Sequence, residues 1–217
     1  MFYVHNKPIL EHLIQIFKNA ESLNFICVVR HQAHLIRNYF RDGTQFGIEI
    51  RYVEQEAGKG NAYAVRSASS CLGTGPFFYC DADILFHRDL AIILLDRVRQ
   101  VNPDAVFAFG KDPSIAPTHR SAQSFSNVLT ATAERLGVPL GQYVLMGVNI
   151  FGPVVLDAIT SQLPPQSDRE VSVSEILLSN LDSINVEPAF YEGPWWHLAC
   201  PDDFPKLQPI LPELKLQ

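Results

Sequence analysis

The chain has 217 residues, of which 47% are hydrophobic and 18% are charged, and its net charge is −6 at pH 7. These totals fit a single globular domain over residues 1–217 with a sizeable apolar core. The acidic balance gives no electrostatic footprint for nucleic acid or for an anionic membrane surface, so we expect neither as a partner.

The spacing of the cysteines and the N-terminal residues indicate in which cellular compartment the protein works. The four cysteines, Cys27, Cys71, Cys80 and Cys200, are scattered and form no Cys-x-x-Cys pair. The chain opens without a basic segment followed by a long apolar run, and no apolar run reaches membrane-spanning length. We interpret the cysteines as reduced, mostly buried thiols of a cytoplasmic protein, with disulfides as the less favoured alternative.

Helical and strand patterns alternate through the first half of the chain. The stretch "KPILEHLIQIF" predicts an amphipathic helix, since Pro8 suits a first turn and Ile9, Leu13 and Phe17 recur on one face. Strand patterns in "FICVVR", "IEIRYVEQ", "PFFYCDAD" and "DAVFAFG" are separated by helical patterns in "AHLIRNYF", "AYAVRSASSCL" and "LAIILLDRVRQV". This order predicts an α/β fold with a doubly wound, mostly parallel, Rossmann-like sheet.

The alternation stops after Gly110. The stretch "KDPSIAPTHRSAQS" is rich in turn residues, and "FSNVLTATAE" and "YVLMGVNIFG" have strand patterns with no helix between them. They predict a small antiparallel β excursion beside the main sheet. Helical patterns follow in "PVVLDAIT" and "VSVSEILLSNL", then a strand pattern in "INVEPAF" and the segment "GPWWHLACPDDF".

Paired carboxylates in "FFYCDADILF" are the strongest local signal of chemistry. Asp81 and Asp83 follow a buried strand, and the carboxyl ends of strands are where open α/β sheets bind ligands. Carboxylate oxygens suit Mg²⁺ or Mn²⁺ that bridges to substrate phosphates. The alternative is that these residues only end the strand or cap the next helix.

Two further segments are weaker signals. The segment "YVEQEAGKGNAYAV" predicts a strand, a turn with Gly58 and Gly60, and a helix that starts near Asn61. Such a turn would suit the binding of an anion or a base edge. The alternative is an ordinary turn between a strand and a helix. In "EGPWWHLACPDDF" His197 is a candidate ligand or base, although a histidine beside tryptophans is more often a packed residue.

Taken in order, these segments resemble the sugar-phosphate nucleotidyltransferase family, the NTP-dependent pyrophosphorylases that make nucleotide sugars. The resemblance is carried by "NKPILEHLIQIF", "IRNYFRDGTQFGIEIRYVEQEAGKGNAYAVRSA", "FYCDADILFHRDL", "YVLMGVNIFGPVVLDAI" and "GPWWHLACPDDF". It covers nearly the whole chain, although none of the family's motifs is intact. It implies attack of a sugar 1-phosphate on the α-phosphorus of an NTP, with Mg²⁺ or Mn²⁺ bridging the phosphates.

The resemblance also implies roles for individual residues. Asp83 falls on the metal-binding aspartate, with Asp81 beside it, and His197 stands where the family has its second metal carboxylate. The residues implied at the nucleotide are Gln55, Gly60, Asn61 and Ala62. Those implied at the sugar are Glu134, Arg135 and Gly147, whereas Leu145 replaces the family's sugar-binding asparagine.

The family's first strand and its glycine-rich phosphate loop have no counterpart after Met1. We therefore expect an N-terminally incomplete domain that lacks roughly two dozen residues of a βα unit, with weak or no activity. The absent strand would lie between "FICVVR" and "FFYCDAD", whose edges then either close up or pair with a second molecule, and we favour a homo-oligomer.

Two other functions remain open at the level of the sequence. One is a metal-dependent glycosyltransferase that uses a finished nucleotide sugar, with Asp81 and Asp83 as an Asp-x-Asp site. The other is a non-catalytic binding or regulatory relative, which the replacement of the family's residues by His197 and Leu145 favours.

Overall fold

The computed structural model describes residues 1–55, 60–111, 134–138, 143–198 and 203–216. The strands in these residues are β1 (Tyr3–Val4), β2 (Lys7–Pro8), β3 (Asn24–Val29), β4 (Glu49–Glu54), β5 (Phe77–Cys80), β6 (Ile84–Phe86), β7 (Ala105–Lys111), β8 (Tyr143–Phe151), β9 (Val186–Tyr191) and β10 (Trp195–His197). The α-helices are α1 (Ile9–Asn19), α2 (Ala33–Phe40), α3 (Asn61–Ala68), α4 (Asp89–Val101), α5 (Pro153–Gln162), α6 (Val173–Leu178), α7 (Phe204–Leu207) and α8 (Leu211–Leu214).

Helix α1 forms where the sequence predicts it. Pro8 is its N-cap, in an extended conformation with φ −57° and ψ 145°. Glu11 in the first turn and Lys18 in the last turn complement the helix dipole. The apolar face of α1 is buried, with Leu13 and Phe17 in the largest core cluster.

The main sheet has four strands in the order β5-β8-β7-β9. Strand β8 is antiparallel to both of its neighbours, whereas β7 and β9 are parallel. The predicted antiparallel pairing of Tyr143–Phe151 is confirmed, but its predicted place in a small excursion beside the main sheet is wrong, because β8 lies inside that sheet. Its run of apolar residues needs cover on both faces, which an internal position gives. Residues 125–133, predicted as its companion strand, lie outside the described residues.

The α/β class is confirmed, but the sheet is divided and partly antiparallel. Strands β3 and β4 form a separate parallel pair. Among the described residues β3 and β5 each have one partner strand and are not paired with each other. Between them lies a cavity of about 950 Å³, which we call the slot. The edges have therefore not closed up.

Helices cover both faces of the divided sheet. Helices α1 and α4 pack with β6, β8 and Trp195 in one core cluster, and α3, α5 and α6 pack on the opposite face in a second. A third, smaller cluster joins α1 to α2 and β4 through Ile14, Phe40 and Ile50. None of the helices in the described part of the chain is long and apolar enough to cross a membrane.

Candidate functional site

Asp81 lies directly after β5 and is turned into the protein. Its backbone N–H donates to the Gly147 carbonyl over 2.7 Å, and its carboxylate accepts a hydrogen bond from the Tyr79 hydroxyl. Burial raises the pKa of Asp81 to about 6, and the nearby Asp83 adds to this effect. A Cβ atom at Gly147 would overlap the Asp81 carboxylate, so the glycine makes room for it.

Asp83 and His197 meet through a short antiparallel strand pair. Strand β10 pairs with β6 so that His197 lies opposite Ile84, and the Leu198 N–H donates to the Asp83 carbonyl over 2.7 Å. The His197 Nε2 atom is 3.2 Å from Asp83 Oδ1. Contact with the Asp83 side chain raises the pKa of His197 against the opposing effect of burial.

The Asp83–His197 contact joins a carboxylate oxygen to a ring nitrogen and is an ion pair when the imidazole is protonated. Asp83 Oδ1 is buried and has no hydrogen-bond partner among the described residues. A buried carboxylate oxygen beside an imidazole nitrogen offers two ligand atoms to a divalent cation. No group of three or more ligand-type side chains with metal-binding geometry exists within the described residues, and Asp81 is engaged by Tyr79.

The turn before α3 is held by the segment before α6. Gly60 has φ +99° and ψ 167°, and a Cβ atom there would lie 2.7 Å from the Val171 backbone nitrogen. The Asn61 side chain accepts a hydrogen bond from the Val173 N–H over 2.9 Å. Gln55 Nε2 donates to the Gly60 carbonyl over 3.3 Å. Gly58 and Lys59 lie outside the described residues.

The slot connects these nucleotide-site candidates. Gln55, Gly60, Asn61 and Asp81 line it together with Arg30. Ala62 is completely buried and its N–H donates to the Val171 carbonyl over 3.2 Å. Four polar or glycine positions predicted from different parts of the sequence therefore border one cavity, whereas Ala62 has a packing role in this structure.

The candidate sugar residues are not all in one place. Gly147 lies against Asp81. Arg135 forms an exposed ion pair with Asp182 over 2.5 Å, and Glu134 is exposed, with its carbonyl accepting from Gly137. Leu145 packs against the core cluster around α5. Of the three sugar candidates, Gly147 therefore lies beside the buried carboxylate of Asp81, whereas Arg135 is paired with Asp182 at the surface.

Tyr79 is a site residue that the sequence analysis missed. Its hydroxyl donates to Asp81, its pKa is raised well above the usual value by burial, and Asn61 is a further hydrogen-bond partner. A signal was present, because residues two apart in a strand share a face. Tyr79 and Asp81 therefore had to lie side by side, and a tyrosine hydroxyl is a natural donor for a buried carboxylate.

Sequence comparison gives a family and two curated relatives. Residues 1–198 match the nucleotidyl transferase family. The chain is 26% identical over 203 residues to the low-salt glycan biosynthesis nucleotidyltransferase Agl11 of Haloferax volcanii, which covers 92% of this chain and 56% of that protein. It is 25% identical over 198 residues to the glucose-1-phosphate thymidylyltransferase of Streptomyces griseus, covering 88% of this chain and 54% of that protein.

Structure comparison agrees on the fold. The inositol-1-phosphate CTP transferase of T. maritima superposes with a TM-score of 0.73 over 99% of this chain and 86% of that one, at 15% identity. At this identity the likeness establishes the fold alone. The chain spans about half the length of the two curated relatives it matches.

Proposed function

Because the chain belongs to the nucleotidyl transferase family, we propose that it is a nucleotidyltransferase-like protein of nucleotide-sugar synthesis. The reaction joins a sugar 1-phosphate to an NTP. A phosphate oxygen of the sugar phosphate attacks the α-phosphorus, the bond to the β-phosphate breaks, and pyrophosphate leaves with the electron pair. We propose further that this chain alone is weakly active or inactive.

One observation carries the proposal: the turn at Gly60 and Asp81, which follows β5, border the same cavity. The Asp83–His197 pair lies nearby, with Asp83 just before β6 and His197 at the end of β10. A nucleotide needs a close backbone approach at its base and charge compensation at its phosphates. We assign the base to Gln55 and the Gly60–Asn61 turn. We assign sugar contact to Gly147, with Glu134 and Arg135 joining only if they leave their surface positions.

Asp83 and His197 are the proposed ligands of a divalent cation, which would neutralise charge on the phosphates when bound. The buried Oδ1 of Asp83 supports this assignment, because it lies 3.2 Å from His197 Nε2 and has no hydrogen-bond partner among the described residues. An imidazole ligand favours Mn²⁺ over the Mg²⁺ that a second carboxylate would suit. Asp81 assists from beside this site, because its carboxylate already accepts a hydrogen bond from the Tyr79 hydroxyl.

Asp83→Ala is expected to weaken Mn²⁺ binding by about tenfold or more, because it removes the charged ligand. Calorimetry measures this directly. Asp89→Ala is the matched control, since Asp89 is an exposed aspartate paired with His87, and it should leave the affinity unchanged. His197→Asp should move the preference toward Mg²⁺. Equal Mn²⁺ affinity in wild type and Asp83→Ala would exclude the site.

Pyrophosphate release by the chain alone is expected to stay well below about 1 per second with any of the four NTPs and a hexose 1-phosphate. The reason comes from the resemblance, because no segment of the given sequence matches the family's glycine-rich loop that binds the triphosphate. A coupled phosphate assay with each NTP measures it. Turnover at about 1 per second or faster would refute the proposed inactivity while supporting the reaction type.

Binding separates the proposed function from its rivals. A nucleotidyltransferase site should bind both NTP and finished nucleotide sugar, and Asp83→Ala should weaken both. A glycosyltransferase would transfer sugar from the nucleotide sugar without using NTP, and the engagement of Asp81 by Tyr79 argues against its Asp-x-Asp pair. The open slot favours a non-catalytic relative as second candidate. Failure to bind any nucleotide or nucleotide sugar would overturn the proposed function.

A further inference from the structure

The Tyr79 hydroxyl lies between two site residues that come from different segments of the chain. It donates a hydrogen bond to the Asp81 carboxylate, and the Asn61 side chain is its second hydrogen-bond partner. Asn61 is the first residue of α3 and follows directly on the turn at Gly60. The hydroxyl therefore joins the turn assigned to the base to the carboxylate that follows β5.

The direction of each hydrogen bond follows from the groups that take part. The Val173 backbone N–H can only donate, and it donates to the side-chain oxygen of Asn61 over 2.9 Å. The amide nitrogen of Asn61 is then the atom that donates to the Tyr79 oxygen. The Tyr79 proton goes in turn to Asp81. Three hydrogen bonds thus run in one direction from Val173 through Asn61 and Tyr79 to Asp81, and we call these four residues the Tyr79 network.

Both ends and the middle of the Tyr79 network are fixed by regular structure. At one end the Asp81 N–H donates to the Gly147 carbonyl of β8 over 2.7 Å. At the other end α6 begins, with the Ser172 side chain as its N-cap. The Tyr79 ring contacts the Phe151 ring, with the ring centroids 5.4 Å apart. Burial raises the pKa of Tyr79 well above its usual value, so its hydroxyl keeps the proton and remains a donor.

We propose that Tyr79 is a positioning residue of the nucleotide site, which acts through Asn61 to fix the turn that meets the base. This inference rests on the proposed function. Without the hydroxyl, the Asn61 amide nitrogen loses its acceptor and the side chain is held by Val173 alone. The first turn of α3 can then shift relative to Gln55. Selection among bases depends on polar groups that are held in place, so base selectivity is the property that Tyr79 should control.

The test is calorimetric titration of Tyr79→Phe with each of the four NTPs in the presence of Mn²⁺. Phenylalanine keeps the ring and removes only the hydroxyl. The preferred NTP should bind about tenfold more weakly and the others should lose less, so that the preference narrows. Tyr63→Phe is the matched control, because Tyr63 is completely buried and its hydroxyl donates to the Pro164 carbonyl over 3.1 Å, outside the Tyr79 network. It should leave all four affinities unchanged.

The outcomes separate this inference from the proposed function. A wild-type protein that binds no NTP would overturn the proposed function and the inference with it. A wild-type protein that binds all four NTPs equally would overturn the inference alone. The same holds if Tyr79→Phe keeps the wild-type preference, if it loses affinity for all four NTPs by the same factor, or if Tyr63→Phe narrows the preference to the same extent.

A double-mutant cycle tests whether Tyr79 acts through Asn61. The cycle compares the affinity for the preferred NTP in Asn61→Ala, in Tyr79→Phe and in the double variant. If Asn61 carries the effect, the double variant should bind no more weakly than Asn61→Ala alone, because the Tyr79 hydroxyl then has no amide left to hold. Losses that multiply in the double variant would show that Tyr79 acts by another route, and would overturn the proposal.

Discussion

Replacing Gly60 with alanine is expected to lower the free energy of unfolding by about 3 kcal/mol or more. Two costs combine. The backbone at φ +99° and ψ 167° is a region that only glycine occupies readily, with a strain of about 1–3 kcal/mol for another residue. The new Cβ atom would also lie 2.7 Å from the Val171 nitrogen and overlap the Val171 carbonyl. Backbone atoms cannot rotate away as a flexible side chain can.

Two glycines of the same chain separate these costs. Gly137 has φ +67° and open space around its Cβ position, so Gly137→Ala carries strain alone and should cost about 1 kcal/mol. Gly73 has open space and no positive φ, so Gly73→Ala should be close to neutral. Urea denaturation of the three variants measures the series. A Gly60→Ala variant no less stable than Gly137→Ala would show that the turn is not locked to Val171.

Asp81→Asn is expected to remove a pH dependence of stability worth about 3 kcal/mol. Burial raises the pKa of Asp81 from 3.8 to about 6 in the folded protein. The folded state therefore holds this proton more tightly than the unfolded state. Its contribution is fully present below about pH 4, is lost as pH rises toward 6, and stays lost above that. At about 1.4 kcal/mol per pKa unit the loss is about 3 kcal/mol.

Asparagine keeps an acceptor for the Tyr79 hydroxyl and cannot ionise. The variant should therefore match wild type near pH 4 and exceed it by about 3 kcal/mol at pH 8. Denaturation in the presence of a chelator, from pH 4 to pH 8, gives both curves. Asp96→Asn is the control, because Asp96 is exposed and forms a surface ion pair with Arg99, and it should not alter the pH dependence. Parallel curves for wild type and Asp81→Asn would contradict the buried position of this carboxylate.

The fold was predictable where one segment decides its own structure. Helix α1 follows from Pro8 and a regular apolar face, and β7 follows from an unbroken apolar run. The position of β8 was not predictable in this way, because an apolar strand pattern does not say which strand is its neighbour. The placement of Tyr143–Phe151 between β5 and β7 depends on pairings distant in sequence.

The site was predictable only in part, because its contacts also depend on pairings between segments distant in sequence. Asp83 and His197 were identified from separate segments, but their contact depends on the pairing of β6 with β10. Asn61 was expected at a ligand, whereas its side-chain oxygen accepts from the Val173 N–H. Arg135 was expected at the sugar and is paired with Asp182. Alternative partners of a polar side chain are set by tertiary packing, and sequence patterns do not reveal them.

The structure leaves an open slot between β3 and β5, which divides the sheet beside the nucleotide-site candidates. Amide hydrogen exchange in the free protein tests it most directly, with neighbouring residues as internal controls. The amides of Ile26, Val28, Phe78 and Cys80 should exchange about 100-fold faster than those of Cys27, Val29 and Tyr79, which face partner strands. Equal protection of both sets would mean that β3 and β5 are paired with each other, and would contradict the slot.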